Sequence, residues 1–557
     1  MTIPLASMWM PDAATMQLVA PELILTAAIA ALLLVPLAVG RNTSVSLLLA
    51  LIGVLAAATV GVGALGDRTP GDGHSIELFG PSGPAGASPG MLVVDRFGGY
   101  FRALLLLFLA AILVMWQLFE ARRERHAPEF LTLLLCSGLG MILMAGTSNL
   151  LMMIVAIELA SLPSYALAGF ERQRRAAGEA ALKYSLFGAA TSGFMIFGAS
   201  LLFGLTGSLH IPTIVQHLTA VDSGPASAAL LALALLTIFA GVGFKISAVP
   251  FHFWCPDVFE GASITIATWL SVASKAAGLV LVVRVASLCG GMLNDAALLG
   301  GAYEFVLLPI LRYGLAAFAA ITCTVANLAA YRQTSVRRLL AYSSIAHAGY
   351  MLAVAPIISR SADSPGAAMS ALAAYLAVYL FMNLGAFLAL ALVAVDRGRE
   401  DVEAFTGLGW RDPATAASLT VCLVSLIGLP PVGGFVAKFL LIAALGRFAV
   451  ADDAALLWGL VTVVVINTAI SLFYYARIIR QMYLRGESEP ATALAAPAGA
   501  KLVLHVCAVV LLLTGTLSIG ALKRTADSAA VRAAPPAVRV SDAHVFPTRA
   551  RFSEPRP

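Results

Sequence analysis

Charge is the scarcest ingredient of this sequence. Only 12% of its 557 residues are Asp, Glu, Lys or Arg, against about 25% in a soluble domain. That deficit excludes an ordinary soluble enzyme. Cysteine is sparse too: Cys136, Cys255, Cys289, Cys323, Cys422 and Cys507 are scattered, and none forms a C-x-x-C pair. No disulfide framework and no zinc, other metal or iron–sulfur site is expected. The opening stretch MTIPLASMWMPDAATM lacks a basic segment, so no cleaved signal peptide is expected and the first helix serves as its own insertion signal. Gly61, Gly63 and Gly66 spell G-x-G-x-x-G. They end an apolar helix and follow no strand, which removes the dinucleotide-binding reading. The net charge of +5 does not indicate nucleic-acid binding, because the basic residues sit mostly in loops between apolar runs.

Apolar length is what the sequence has in abundance. Residues of hydrophobic type make up 60% of the chain, and runs of roughly 20 apolar residues suffice to cross a hydrocarbon core. The expected spans are 20–39, 44–65, 98–119, 129–146, 148–168, 182–206, 226–253, 263–289, 307–331, 337–357, 369–396, 414–446, 457–484 and 501–521. In lipid every backbone polar group needs an internal partner, so these are helices. The fold class is all-α integral membrane, with about fourteen transmembrane helices. Residues 66–97 read as a Gly/Pro-rich loop, and residues 522–557 as a disordered tail.

Basic residues mark alternate connections: Arg41, then Arg122, Arg123 and Arg125, then Arg172, Arg174 and Arg175, then Arg332, Arg337 and Arg338, then Arg397, Arg399 and Arg411, then Arg480 and Arg485. Connections between these are poor in Lys and Arg; 207–225 has none. Positive charge stays cytoplasmic. The odd connections are therefore expected inside and both termini outside, with Lys523 and Arg524 as the one conflicting pair.

Most of these helices contain no ionisable residue near the middle, and a few contain one. Glu158, Lys275 and His347 lie near the centres of their spans, and Lys245 and Lys438 lie within theirs. A charge at the bilayer centre costs at least ~3 kcal/mol, so such residues face the bundle interior or a wet cavity. Burial disfavours the charged form of any ionisable group, and a nearby opposite charge restores it. A group balanced between these effects can take and release a proton, and imidazole needs least adjustment. The alternative is a set of structural ion pairs joining helices. That would require matching acids, and Glu158 is the mid-membrane carboxylate set against three lysines. Proton transfer is the favoured reading.

Two of these helices are expected to be broken. Pro250 and Pro256 follow Lys245, and Gly428, Pro430, Pro431, Gly433 and Gly434 precede Lys438. Proline removes a backbone donor, and broken membrane helices are tolerated where they line a cavity; a plain proline kink is the alternative. Lys183 either snorkels or supplies Glu158 with protons. His252 and Asp257 either line a cytoplasmic uptake route or cap their loop. Arg284, near a helix end, reads as an interfacial anchor.

Three segments carry a resemblance. KISAVPFHFWCPDVFEGA (245–262), YRQTSVRRLLAYSSIAHAGYML (331–352) and GLPPVGGFVAKFLL (428–441) resemble the proton-conducting, antiporter-like membrane subunits of respiratory complex I, over roughly residues 91–485. The resemblance implies two inverted five-helix units, 129–289 and 307–484. Helices 1–3 (1–128) precede them, and a last helix (485–521) and the tail follow. It implies that Glu158 pairs with Lys245, that Lys275 and His347 continue a central polar axis, and that Lys438 is the exit residue. One sibling within the family carries Glu at the Lys438 position and another carries a long lateral helix after the last span; neither feature is present here. It further implies a bacterial inner-membrane proton translocase that works with other membrane and peripheral subunits. NADH and quinone would react in those partners, with no cofactor in this chain. The rivals are a subunit of a multisubunit cation/proton antiporter, and an inert membrane scaffold.

Overall fold

The structure is a computed structural model that describes residues 13–67, 76–78, 90–122, 124–220, 224–290, 306–307, 309–358, 364–449, 454–484, 497–517 and 519–530. Among the described residues, 13 helices are long and apolar enough to cross a membrane. The expected span 414–446 is not one of them: it is two shorter helices, Pro413–Ile427 and Gly433–Ala449. The expected span 226–253 stops early, as the helix Pro225–Ile246, and resumes as the short helix Trp254–Gly261. Both sequence-expected breaks are therefore present.

Burial sorts the helices into a centre and a periphery. The most apolar windows of Ile264–Ser287, Val336–Ile357 and Gly366–Arg397 are 100%, 94% and 83% buried, whereas that of Ala20–Val39 is 22% buried. The outer faces present large apolar side chains such as Leu37, Leu186 and Phe473. In water such a surface would be a liability; against lipid tails it is the expected exterior. Since apolar burial drives little association in lipid, close backbone approach matters more. A Cβ on Gly349 would lie 2.6 Å from the Cys323 backbone nitrogen, so glycine lets the helices Val336–Leu352 and Leu315–Tyr331 touch.

The charged connections gather at one end of the bundle. Arg41 pairs with Glu129, Arg337 with Glu400, and Lys501 with Asp412. Arg174 is close enough to Arg337 to repel it. These bonds tie together loops that the basic-residue pattern assigns to one side. Arg123 and Arg485 lie outside the described residues.

Three expectations need correction. Within 66–97, residues Ile76–Leu78 and Leu92–Val94 pair as antiparallel strands, with Ile76 opposite Val94. Most of that segment lies outside the described residues. The last span ends at Thr516, and a further helix, Ile519–Ala530, occupies the start of the expected tail. Ser370 Oγ in the helix Ser364–Arg397 bonds Asp527 of this terminal helix, and residues 531–557 lie outside the described residues. Arg284 is not an interfacial anchor. Its side chain is 2% exposed and forms a two-pronged ion pair with Asp95, while its guanidinium also donates to Ala145 O at 2.9 Å. Asp95 in turn caps the helix Arg96–Phe119 by accepting from Gly98 N at 2.7 Å.

Candidate functional site

Each mid-membrane ammonium group sits beside a helix irregularity. Lys245 is fully buried in the last turn of Pro225–Ile246, which ends at Ser247 with φ +59. Its Nζ donates to Ser161 Oγ at 3.1 Å. Glu158, one turn earlier on the helix Leu150–Ala168, accepts from Ser192 Oγ. The expected direct pairing is thus not formed, although Glu158 is close enough to attract the Lys245 ammonium. The orphan carbonyls of the broken helix are capped from the next two elements: Ser274 Oγ donates to Lys245 O at 2.7 Å, and Trp254 Nε1 to Phe244 O at 3.1 Å.

Lys275 follows a π-helical turn, Leu270–Ser274, inside an otherwise α-helical span. The wider turn leaves Leu270 O free to accept from Lys275 Nζ at 3.4 Å. The ammonium also donates to Cys255 Sγ at 3.4 Å and lies 4.9 Å from the Phe259 ring centre and 5.2 Å from that of Trp254, a cation–π cage.

His347 is buried among three phenols. Its Nδ1 is 2.9 Å from Tyr375 Oη, and its ring lies 5.2 Å from Tyr379 and 5.6 Å from Tyr350. Lys438 reaches back across the second break. Its Nζ donates to Ile427 O at 2.8 Å and Leu426 O at 3.3 Å, the last carbonyls of Pro413–Ile427, and lies 4.6 Å from the Tyr350 ring centre. The negative end of that helix therefore holds the cation. Gly428, with φ +85, turns the chain here, and a Cβ on it would lie 2.7 Å from Lys438 Cδ.

These four groups and Glu158 form one axis. Ser161 joins Lys245 to the Glu158 helix, and Ser274 joins the Lys245 backbone to the Lys275 helix. Cys255 lies 3.9 Å from Ser344 on the His347 helix, and Tyr379 Oη donates to Ser271 O at 3.2 Å. Tyr350 then contacts both His347 and Lys438. Among the described residues, none of the three lysines forms an ion pair with a carboxylate.

Lys183 and Asp257 meet away from this axis. Asp257 accepts from Lys183 Nζ at 2.7 Å and from Arg338 Nη1 at 2.8 Å, and Lys183 also pairs with Glu179. Burial works against the Asp257 carboxylate, yet the bonds from Lys183 and Arg338 hold it below the usual carboxylate range. His252 lies between the two parts of the broken helix, 7% exposed, and its Nδ1 has no hydrogen-bond partner among the described residues. It does not join the Asp257 cluster.

A neutral network escaped the sequence reading. Asn327 Nδ2 donates to Tyr350 Oη at 2.8 Å and to Asn467 Oδ1 at 3.2 Å, while Tyr474 Oη donates to Asn327 Oδ1 at 3.0 Å. Asn327 and Asn467 are both buried in apolar spans, and an amide buried in an apolar helix is the signal that points to them. No group of His, Cys, Asp or Glu able to hold a metal occurs among the described residues.

The model of a family described as NADH:quinone oxidoreductase/Mrp antiporter, TM, matches residues 147–471. NADH-quinone oxidoreductase subunit N 2 of Sorangium cellulosum is 38% identical over 481 residues, 85% of this chain and 89% of the relative. NADH-quinone oxidoreductase subunit N of Desulfitobacterium hafniense is 36% identical over 75% of this chain and 81% of its own length. A chain of respiratory complex I from Thermus thermophilus with bound aureothin superposes with a TM-score of 0.69 at 31% identity, covering 90% of this chain and 98% of that one. A chain of the Mrp complex from Dietzia shares the fold, with a TM-score of 0.76 at 18% identity over 95% of this chain and 99% of that one.

Proposed function

The chain belongs to the NADH:quinone oxidoreductase/Mrp antiporter transmembrane family, and from that premise we propose that it is a proton-translocating membrane subunit of an NADH:quinone oxidoreductase. Electron transfer from NADH to quinone takes place in partner subunits, and this chain carries protons across the membrane. It acts as part of a translocase and holds no redox cofactor of its own. It sits in a bacterial inner membrane, with the charged end of the bundle cytoplasmic and both termini outside.

One observation carries this reading: Lys245, Lys275 and Lys438 are buried and held by hydroxyl, thiol, carbonyl and ring partners rather than by carboxylates. A buried ammonium kept only for structure needs a counter-ion. A lysine that alternates between ammonium and neutral amine is served by partners that tolerate both forms. Redox-driven changes in helix packing or hydration shift the balance between Glu158 and Lys245. A proton then moves by way of Lys275 and His347 to Lys438, with water bridging the contacts that exceed hydrogen-bonding distance. Moving one charge against 100 mV requires ~2.3 kcal/mol. The cation/proton antiporter reading is weaker: the family covers both kinds of protein, but likeness to the Mrp complex is one of fold at 18% identity, whereas named subunit N relatives reach 39%.

Purification separates the readings. The isolated chain is expected to neither oxidise NADH nor bind flavin, and complex containing it is expected to acidify vesicle interiors when NADH is added. A stoichiometric redox cofactor in the isolated chain, or sodium/proton exchange by the complex without NADH, contradicts the proposal.

A further inference from the structure

The axis needs a source of protons at the cytoplasmic end. The Asp257 cluster is poorly suited, since two cations keep that carboxylate ionised. Another carboxyl lies at the same end. Glu120 follows the last residue of Arg96–Phe119 and is partly buried, and its Oε1 accepts from Thr265 N at 3.3 Å. Thr265 belongs to the first turn of the helix that carries Lys275. Among the described residues, no Lys or Arg forms an ion pair with Glu120. The charged group that faces it is Glu171, itself paired with Arg174.

Hydroxyls recur along the helix from this point. Thr265, Thr268, Ser271 and Ser274 follow one another at intervals of three residues, and all four are fully buried. Each step rises about 4.5 Å, and the path from Thr265 to Lys275 covers about 15 Å. Ser271 Oγ donates to Thr268 O at 2.8 Å, and Ser274 Oγ to Lys245 O at 2.7 Å. The Thr265 hydroxyl is buried without a hydrogen-bond partner among the described residues. An unsatisfied buried hydroxyl next to a carboxyl is a site for a bridging water.

We propose that Glu120 is the proton-uptake residue for Lys275, and that the hydroxyls of Thr265, Thr268, Ser271 and Ser274, with intervening water, carry its proton to Lys275. The inference rests on the reading of Lys275 as a proton carrier. The Glu120 carboxylate takes a proton from the cytoplasmic medium and gives it to the first hydroxyl or water. Each relay oxygen accepts one proton and releases its own, ending unchanged, and the neutral amine of Lys275 becomes ammonium. Burial pushes the Glu120 carboxyl up to about 7; the Glu171 charge acts in the same direction, against the hydrogen bond from Thr265 N. A donor of that strength matches cytoplasmic pH.

The test uses the assembled complex in proteoliposomes, with NADH-driven pumping measured across a pH series for wild type, Glu120→Gln, Glu120→Asp, Thr265→Val and Lys275→Ala. Glutamine still accepts from Thr265 N but cannot titrate. It is expected to lower pumping by about 10-fold or more and to abolish the alkaline limb of the profile, while the aspartate variant recovers part of the rate. Thr265→Val, which keeps shape and removes the hydroxyl, is expected to lower pumping similarly and decides the matter should the glutamine variant fail to assemble. Wild-type rate and pH profile in Glu120→Gln, or wild-type rate in Thr265→Val, overturn the uptake path. Loss of pumping in Lys275→Ala beside normal Glu120→Gln discards this inference alone, whereas normal pumping in Lys275→Ala discards the proton-carrier reading beneath it.

Discussion

Lys438 and Gly428 show how tightly a single residue can be tied to another. Gly428 adopts φ +85, and any side chain there would press on the Lys438 stem. Gly428→Ala is expected to cost about 1–2 kcal/mol from the left-handed backbone alone and to displace the ammonium from Leu426 O and Ile427 O. Pumping by the assembled complex should fall, while Gly446→Ala, whose nearest contact is Trp458 at 3.8 Å, should pump normally. A blue-native gel paired with a pumping assay checks both. The five axis residues were legible in the sequence because an ionisable group in an apolar run is costly and conspicuous. The partners were not. Ser161, Cys255 and Tyr375 are unremarkable in a membrane helix, and the Asp95–Arg284 pair joins residues 189 positions apart. Periodicity and composition report local environment and carry no information on such pairings.

Element lengths were legible for the same reason that the fold is helical: the bilayer sets the length and the backbone must satisfy itself. The breaks followed from proline and glycine. The π turn before Lys275 did not, because Leu270–Ser274 has no composition that distinguishes it from α-helix. The helix Ile519–Ala530 was missed because a polar, mixed-charge stretch reads as unstructured until a surface exists to hold it. The basic connections supply a prediction at this scale. Arg174→Cys and Arg332→Cys, made singly, are expected to react with a membrane-impermeant thiol reagent from the cytoplasmic face only. Modification from opposite faces would contradict the grouping of these connections at one end, where the Arg174 charge acts on Arg337.

At the scale of the whole molecule, an apolar exterior surrounds a central group of helices that carries a row of protonatable groups from Glu158 to Lys438. The same fold occurs in the Mrp complex, so the fold alone does not specify redox coupling. What distinguishes a proton carrier from an inert scaffold is the chemistry of the buried lysines, and Lys245 is the sharpest case because its ammonium is held by the Ser161 hydroxyl with Glu158 near but unpaired. The most direct measurement is NADH-driven proton pumping by fully assembled complex carrying Lys245→Ala or Lys245→Arg. Arginine keeps the charge but holds its proton too firmly to release it, with a pKa above about 12. Both variants are expected to assemble and to lose pumping by about 10-fold or more; an assembled Lys245→Arg complex that pumps normally would contradict the account.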